Sequence, residues 1–231
     1  MGALPPEAWT ALALSVRVAF WATVICLPFG IFVSYALARW QFRGKAFLNV
    51  LVYVPLVLPP VVTGYLLLLV FGRNGPIGRI LEEVFGLVLA FRWTGAVLAA
   101  AIMAFPLMVR ALRSAFEAID PDLEEVAGSL GAGRWRVFFT ISLPLALPGV
   151  LAGSVLSFAK AMGEFGATIT FVSNIPGETQ TVPSAIYEFL QIPGAEPAVV
   201  GLAVLSLLVA FGALGLSEWL APRVAKRVAG R

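Results

Sequence analysis

Two stretches carry residues whose types and spacing could do chemistry. In the first, Lys160 and Glu164 stand one helical turn apart, and Thr168, Thr170, Ser173 and Asn174 follow closely. A cation, a carboxylate and a run of hydroxyl and amide groups are what a hydrated path for a polar or anionic solute needs. Thr63, just after a proline-rich run, could add a hydroxyl from another segment. Each residue also has a plainer use. Lys160 and Glu164 can pair with each other, or the lysine can snorkel to an interface. A Ser or Thr hydroxyl can return its hydrogen bond to the carbonyl one turn back. In the second stretch, Asp120-Pro121 starts a helix whose first turns hold Asp122, Glu124 and Glu125. Asp suits the cap, Pro the first helical position, and the acids the positive end of the helix dipole. Leu123, Val126, Ala127 and Leu130 share one side, and Gly131, Ala132 and Gly133 end the element. A short amphipathic helix of this kind either lies on lipid headgroups or docks in a partner's groove.

Other chemistry is excluded by what the 231 residues lack. There is no histidine, and Cys26 is the single cysteine. Ser-His triads, HExxH metal sites, imidazole proton shuttles, intrachain disulfides and cysteine metal clusters all fall away. No phosphate-cradling GxxxxGK[ST] loop is present, so the chain has no means of using ATP by itself, and no cofactor is expected.

The elements that must position these residues are membrane helices. The chain is 60% hydrophobic and 13% charged, where soluble domains carry about 25% charged residues. Crossing about 30 Å of hydrocarbon takes roughly 20 mostly apolar residues, held as helix because unpaired backbone groups cannot face lipid. Five stretches qualify: residues 9–38, 46–71, 94–112, 137–161 and 198–220. The first is too long for a signal peptide, and its positive charges follow it, so it reads as a retained span. Residues 77–91 carry Arg79, Glu82 and Glu83 and read as an interfacial connector; residues 166–172 are too few to cross and read as a re-entrant or lumen-lining piece. The whole chain, 1–231, reads as one membrane domain of the all-α class.

Charge orients the bundle. Arg39, Arg43 and Lys45 lie between the first two spans; Arg110, Arg113, Arg134 and Arg136 flank the loop 114–136; Arg223, Lys226, Arg227 and Arg231 follow the last span. Residues 161–197 hold Glu164, Glu178, Glu188 and Glu196 without Lys or Arg. The basic loops belong in the cytoplasm, which puts the N-terminus outside and the C-terminus inside. The net charge of +3 is thus a topology signal, and no nucleic-acid partner is expected. Pro28, Pro106, Pro144 and Pro148 are tolerable within membrane helices. Pro55, Pro59 and Pro60 remove three donors within six residues, so the second span must kink or break there, and broken helices at membrane depth usually line a cavity.

The loop also carries a resemblance. Glu125-Val126-Ala127, Gly131, and Ile141-Ser142-Leu143-Pro144 match in every spacing the EAA loop of ABC importer permeases, with Val126 in place of the usual Ala. RWQFRGK at 39–45, the proline-rich 54–62, Phe105-Pro106, LPLALPG at 143–149 and Gly163-Glu164-Phe165-Gly166 also look like that permease core. The likeness covers essentially the whole chain. Within the family, residues 131–140 and 164–181 are most similar to molybdate permeases, and sulfate/thiosulfate permeases are close relatives. The resemblance implies a type I importer fold of five spans plus a cytoplasmic coupling helix in a prokaryotic plasma (inner) membrane. It implies a homodimer, two cytoplasmic ATPase subunits that bind the ATP, and a periplasmic or extracellular oxyanion-binding protein. Asp122, Leu123, Glu124, Glu125, Val126, Ala127, Gly131, Ala132 and Gly133 would form the coupling surface.

Molybdate would then be the cargo, with sulfate, thiosulfate or tungstate as alternatives. A secondary carrier or channel is the rival from another class, though intramembrane carboxylates beyond Glu164 are missing. No single segment gathers cations and donors into a cage, so discrimination among oxyanions is expected to rest with the binding protein and this chain to act as a valve.

Overall fold

A computed structural model describes residues 5–228, and their side chains as far as Arg223. Within them the chain is a bundle of helices with no strand. Helix α1 (Pro6–Arg39) is followed by α2 (Lys45–Val57) and α3 (Pro60–Phe71), then by a short α4 (Pro76–Phe85) and the long α5 (Trp93–Glu117). The loop helix α6 (Pro121–Ser129) leads into α7 (Arg134–Val137), which continues through a π-helical turn (Phe138–Ser142) into α8 (Leu143–Met162). Two short helices, α9 (Gly166–Val172) and α10 (Val182–Phe189), precede α11 (Glu196–Val228).

Helix α5 is the hub, packed between α1 and α8 through small residues. A Cβ on Gly30 would stand 2.7 Å from Met108 Sδ, and one on Gly149 or Gly153 would collide with Ala115 or Leu112. Glycines at these crossings let backbones approach closely, which is how helices associate where lipid offers no hydrophobic drive. Interhelical hydrogen bonds add to it. Cys26 Sγ donates to the Ala101 carbonyl at 3.3 Å and Ser34 Oγ to that of Val109 at 3.1 Å. Helix α11 is different: Val204, Leu207, Leu208, Phe211 and Trp219 are all exposed in the isolated chain, as lipid-facing or partner-facing positions are.

Among the described residues, four helical stretches are long and apolar enough to cross a membrane: Pro6–Arg39, Trp93–Glu117, Arg134–Met162 and Glu196–Arg223. The expected second span is not one straight helix. Leu58 and Pro59 are extended, and α2 and α3 meet at a bend of 114°. The lost donors of the proline run account for the break. Pro28 and Pro106, by contrast, sit inside unbroken α1 and α5. Pro144 has a third outcome. Its ring would strike the carbonyl four residues back, and the π turn widens the helix there, with Leu143 N–H donating to the Phe138 carbonyl five residues back. Two boundaries move. Helix α5 runs on to Glu117, so the loop is shorter than 114–136, and the fourth span starts at Arg134. The basic side chains of Lys226, Arg227 and Arg231 lie outside the described residues.

Candidate functional site

The acidic loop helix is built as its sequence suggests. Asp120 Oδ1 accepts from Asp122 N–H at 3.1 Å, with Pro121 at the first helical position. At the other end Ala132 N–H donates to the Ala127 carbonyl and Gly131 N–H to that of Gly128, both at 3.0 Å. This pair of bonds is a Schellman closure, and Gly131 supplies the left-handed residue it needs, at φ 87°. The turn points away from the bundle, for a Cβ on Gly131 or Gly133 would meet nothing within 4 Å. The side that the sequence marks as apolar is not covered by the chain either: Leu123, Val126 and Leu130 are 48%, 59% and 84% exposed. So Asp122, Leu123, Glu125, Val126, Gly131 and Gly133 stand open to a partner, with Ala127 and Ala132 half-buried.

Glu124 departs from that set. It turns inward, where its Oε1 accepts from Ser142 Oγ at 2.7 Å and from Arg39 Nε at 3.2 Å. Arg39 Nη2 also donates to the Ile119 carbonyl at 2.7 Å. The end of α1, the loop and the π turn are thereby tied at one carboxylate, which is 17% exposed against 13% for Arg39 and is not free to meet a partner. Nothing local in the sequence signals this, since Arg39 lies 85 residues away and Ser142 is only brought round by the π turn.

The pathway candidates divide into two places. Thr63 on α3 sits beside α9, and the crossing is tight: a Cβ on Gly64 would be 2.5 Å from the Ala167 carbonyl and one on Gly166 2.7 Å from Pro60. Two interrupted helices thus pack on each other with Thr63 and Thr168 buried between them. Thr63 Oγ1 has no hydrogen-bond partner among the described residues. Thr170 takes the plain role, its hydroxyl donating to the Gly166 carbonyl at 2.8 Å. Farther along, Ser173 is exposed at φ 66°, and Asn174 Nδ2 donates to Glu188 Oε2 at 2.6 Å, joined there by Gln180 Nε2 at 2.7 Å. The pairing with Gln180 and Glu188 is not visible in the spacing.

Lys160 and Glu164 form the i,i+4 pair at 2.8 Å, but it is not a surface pair: the Glu164 side chain is 2% exposed and the Lys160 side chain 30%. Glu164 Oε1 also accepts from Ala167 N–H at 3.1 Å, holding the start of α9. This changes the expected effect of losing Lys160, because an isolated buried carboxylate is far costlier than a broken surface pair. Lys160→Gln keeps an N–H donor for Glu164, and uptake per inserted molecule is expected to stay within a few-fold of normal. Lys160→Leu strands the carboxylate and should lower the membrane yield, with Glu164→Gln restoring it. A tenfold loss of uptake per molecule in Lys160→Gln, at normal yield, would mean that the ammonium attracts the solute itself.

Comparison with known proteins bears on this geometry. Residues 10–226 match the family described as "Binding-protein-dependent transport system inner membrane component". The molybdenum transport system permease protein ModB of Escherichia coli K12 is 57% identical over 226 residues, 98% of each chain. ModB of Haemophilus influenzae is 55% identical over 219 residues, 95% of this chain and 96% of that one. In fold, the chain is similar to one in the bacterial alginate ABC transporter crystallised with its alginate pentasaccharide-bound periplasmic protein. The TM-score is 0.76 over 96% of this chain and 81% of that one, at 15% identity.

Proposed function

Because the chain belongs to the family of binding-protein-dependent transport system inner membrane components, we propose that it forms the membrane pathway for molybdate in an ATP-driven importer. The observation that carries the cargo is the 57% identity to a molybdenum transport permease across 98% of both chains. The chain's own chemistry fits a non-catalytic subunit. It has no nucleotide loop, and it presents an apolar turn at Leu123, Val126, Leu130 and Gly131 that the described residues leave uncovered. We assign that turn to the groove of a cytoplasmic ATPase subunit. Two such subunits need two turns, so a homodimer of this chain is the assembly proposed, joined outside by an oxyanion-binding protein.

In this reading the chain is one domain of five spans in a prokaryotic inner membrane, α2 and α3 together counting as the broken second span. The N-terminus lies outside and the C-terminus in the cytoplasm, as the basic loops require. A dianion cannot enter hydrocarbon, so its route runs past the interrupted helices α3 and α9, where Thr63 holds an unclaimed hydroxyl. Thr168 stands with it, Thr170, Ser173 and Asn174 line the approach, and the Lys160–Glu164 pair fixes the start of α9 rather than binding cargo. Scattered hydroxyls do not distinguish one tetrahedral oxyanion from another, so the binding protein selects and this chain is the valve.

The test is made in cells lacking the chain. Restoring it should restore uptake of labelled molybdate that depends on the binding protein, and a tag on it should retain an ATP-hydrolysing subunit through purification. A protease-cleavable tag at the N-terminus should be cut from outside and one at the C-terminus only from the cytoplasm. A chain that purifies alone and carries molybdate without ATP would overturn the importer reading, and both tags on one side would overturn the five-span topology.

A further inference from the structure

A cavity of about 660 Å³ opens at the end of the bundle where α3 stops and α5 begins, and it is lined by Arg17, Arg73, Arg92, Trp93, Gly177 and Glu178 among others. The three arginines are 56 and 19 residues apart in sequence, on α1, after α3 and before α5, so no local pattern shows that they meet. Arg17 lies with its guanidinium carbon 3.8 Å from the centre of the Trp93 ring, a stacking that fixes its plane. Arg73 reaches Glu82 only at 3.9 Å, with both side chains largely solvated. Arg17 and Arg92 make no ion pair among the described residues. Beside them the backbone is held in unfavourable form: Phe91, immediately before Arg92, stands at φ 59°, a left-handed conformation rare for a bulky side chain. Three guanidiniums against the carboxylates of Glu178 in the lining and Glu82 beside Arg73 leave this hollow basic, at the start of α5 and so at the end of that helix opposite the α6 loop.

We propose that Arg17, Arg73 and Arg92 form an outer vestibule that holds a tetrahedral oxyanion dianion on its way to the crossing of α3 and α9. This rests on the importer reading above and adds a site to it. A guanidinium presents paired N–H donors that match an oxyanion's edge, and three from separate directions suit a tetrahedron better than a flat carboxylate. All three side chains are solvent-exposed, so their pull is screened and the site collects dianions without choosing between them. A vestibule of this kind raises the local concentration of an anion just released outside, and its fixed charge resists escape.

The experiment is equilibrium dialysis of labelled molybdate against the assembled permease–ATPase complex in lipid nanodiscs, without binding protein. Expected are saturable but weak binding that fades as salt rises from about 0.05 to 0.5 M, competition by sulfate within about tenfold (~1.4 kcal/mol), and at least tenfold weaker binding in the Arg17→Gln, Arg92→Gln double variant. Should that variant fail to assemble, the Arg92→Gln single variant, changed at an exposed loop position, is expected to weaken binding several-fold. No saturable binding by the unaltered complex overturns the site, as does binding that the variants leave intact. Docking of anion-free binding protein is measured alongside. If the variants lose docking while molybdate binding stands, the arginines grip protein carboxylates and the vestibule is refuted. An unaltered complex that binds molybdate here but imports none in cells would refute the importer reading and keep the site.

Discussion

Replacing Gly131 by Leu is expected to abolish molybdate uptake while leaving the chain inserted and folded. Gly131 stands at φ 87°, where any L side chain costs about 1–2 kcal/mol. That strain falls on a surface turn and is too small to unfold a bundle whose core lies between α1, α5 and α8. Among the described residues a Cβ at this position would meet nothing within 4 Å. A Leu on this outward-facing turn is therefore expected to clash with a partner seated on it. Gly131→Ala is the control, because it carries the same backbone cost with one methyl group, and it should retain measurable uptake. Glu125→Lys, which reverses an exposed charge on the same helix, should weaken retention of the ATPase subunit. Uptake is measured with labelled molybdate and insertion by membrane yield. Normal uptake by the Leu variant would remove the docking role. Equal loss in Ala and Leu would assign the effect to backbone strain alone.

The parts of this molecule that follow from local physics are the parts its sequence shows. Long apolar runs specify helices at 9–38 and 94–112 because no other structure is tolerated in lipid, and Asp120-Pro121 specifies a helix start because both residues act within one turn. The proline run predicts a kink or break within 54–62 but neither its place at residues 58–59 nor its angle of 114°, which goes with the close packing of α3 on α9 at Gly64 and Gly166. Pairings across long sequence distances stay hidden for the same reason. Arg39 with Glu124, Arg113 Nη1 with Asn49 Oδ1 at 2.9 Å, and the cavity that Arg17 and Arg92 both line are products of the packing. The stripe Leu123, Val126, Ala127 and Leu130 is legible as a helix face, but periodicity alone leaves lipid headgroups and a partner's groove as equal ways to cover it; Leu123, Val126 and Leu130 are exposed in the chain, as either reading requires.

Glu124→Leu is expected to uncouple that surface from the bundle and to cut the ATP-driven, binding-protein-dependent uptake at least tenfold, about 1.4 kcal/mol in the coupling step. The carboxylate joins three elements. Ser142 reaches it from the π turn that opens α8, Arg39 from the last residue of α1, and Arg39 in turn holds the Ile119 carbonyl just ahead of α6. Hydrogen bonds to a charged group contribute about 1.5–3 kcal/mol each, and residual exposure of 13% and 17% leaves only a modest discount for solvent. Leucine removes all of it and leaves Ser142 Oγ, fully buried, without its acceptor. The loop helix then keeps its own cap at Asp120 and its Schellman end, so it still forms and still meets the ATPase, but a push on it no longer reaches α1 and α8 together. Glu124→Gln separates the contributions, because its amide oxygen still accepts from Ser142 while the charge facing Arg39 is gone, and it should lie between the two. Arg39→Gln tests the other half, and in a double-mutant cycle with Glu124→Gln the losses should be less than additive, as for residues that act through one contact. The readout is the ratio of uptake, and of ATP hydrolysis, with and without loaded binding protein at equal retention of the ATPase subunit. Undiminished stimulation in Glu124→Leu would show that force passes from α6 by another route, and strictly additive losses would show that Arg39 and Glu124 act apart.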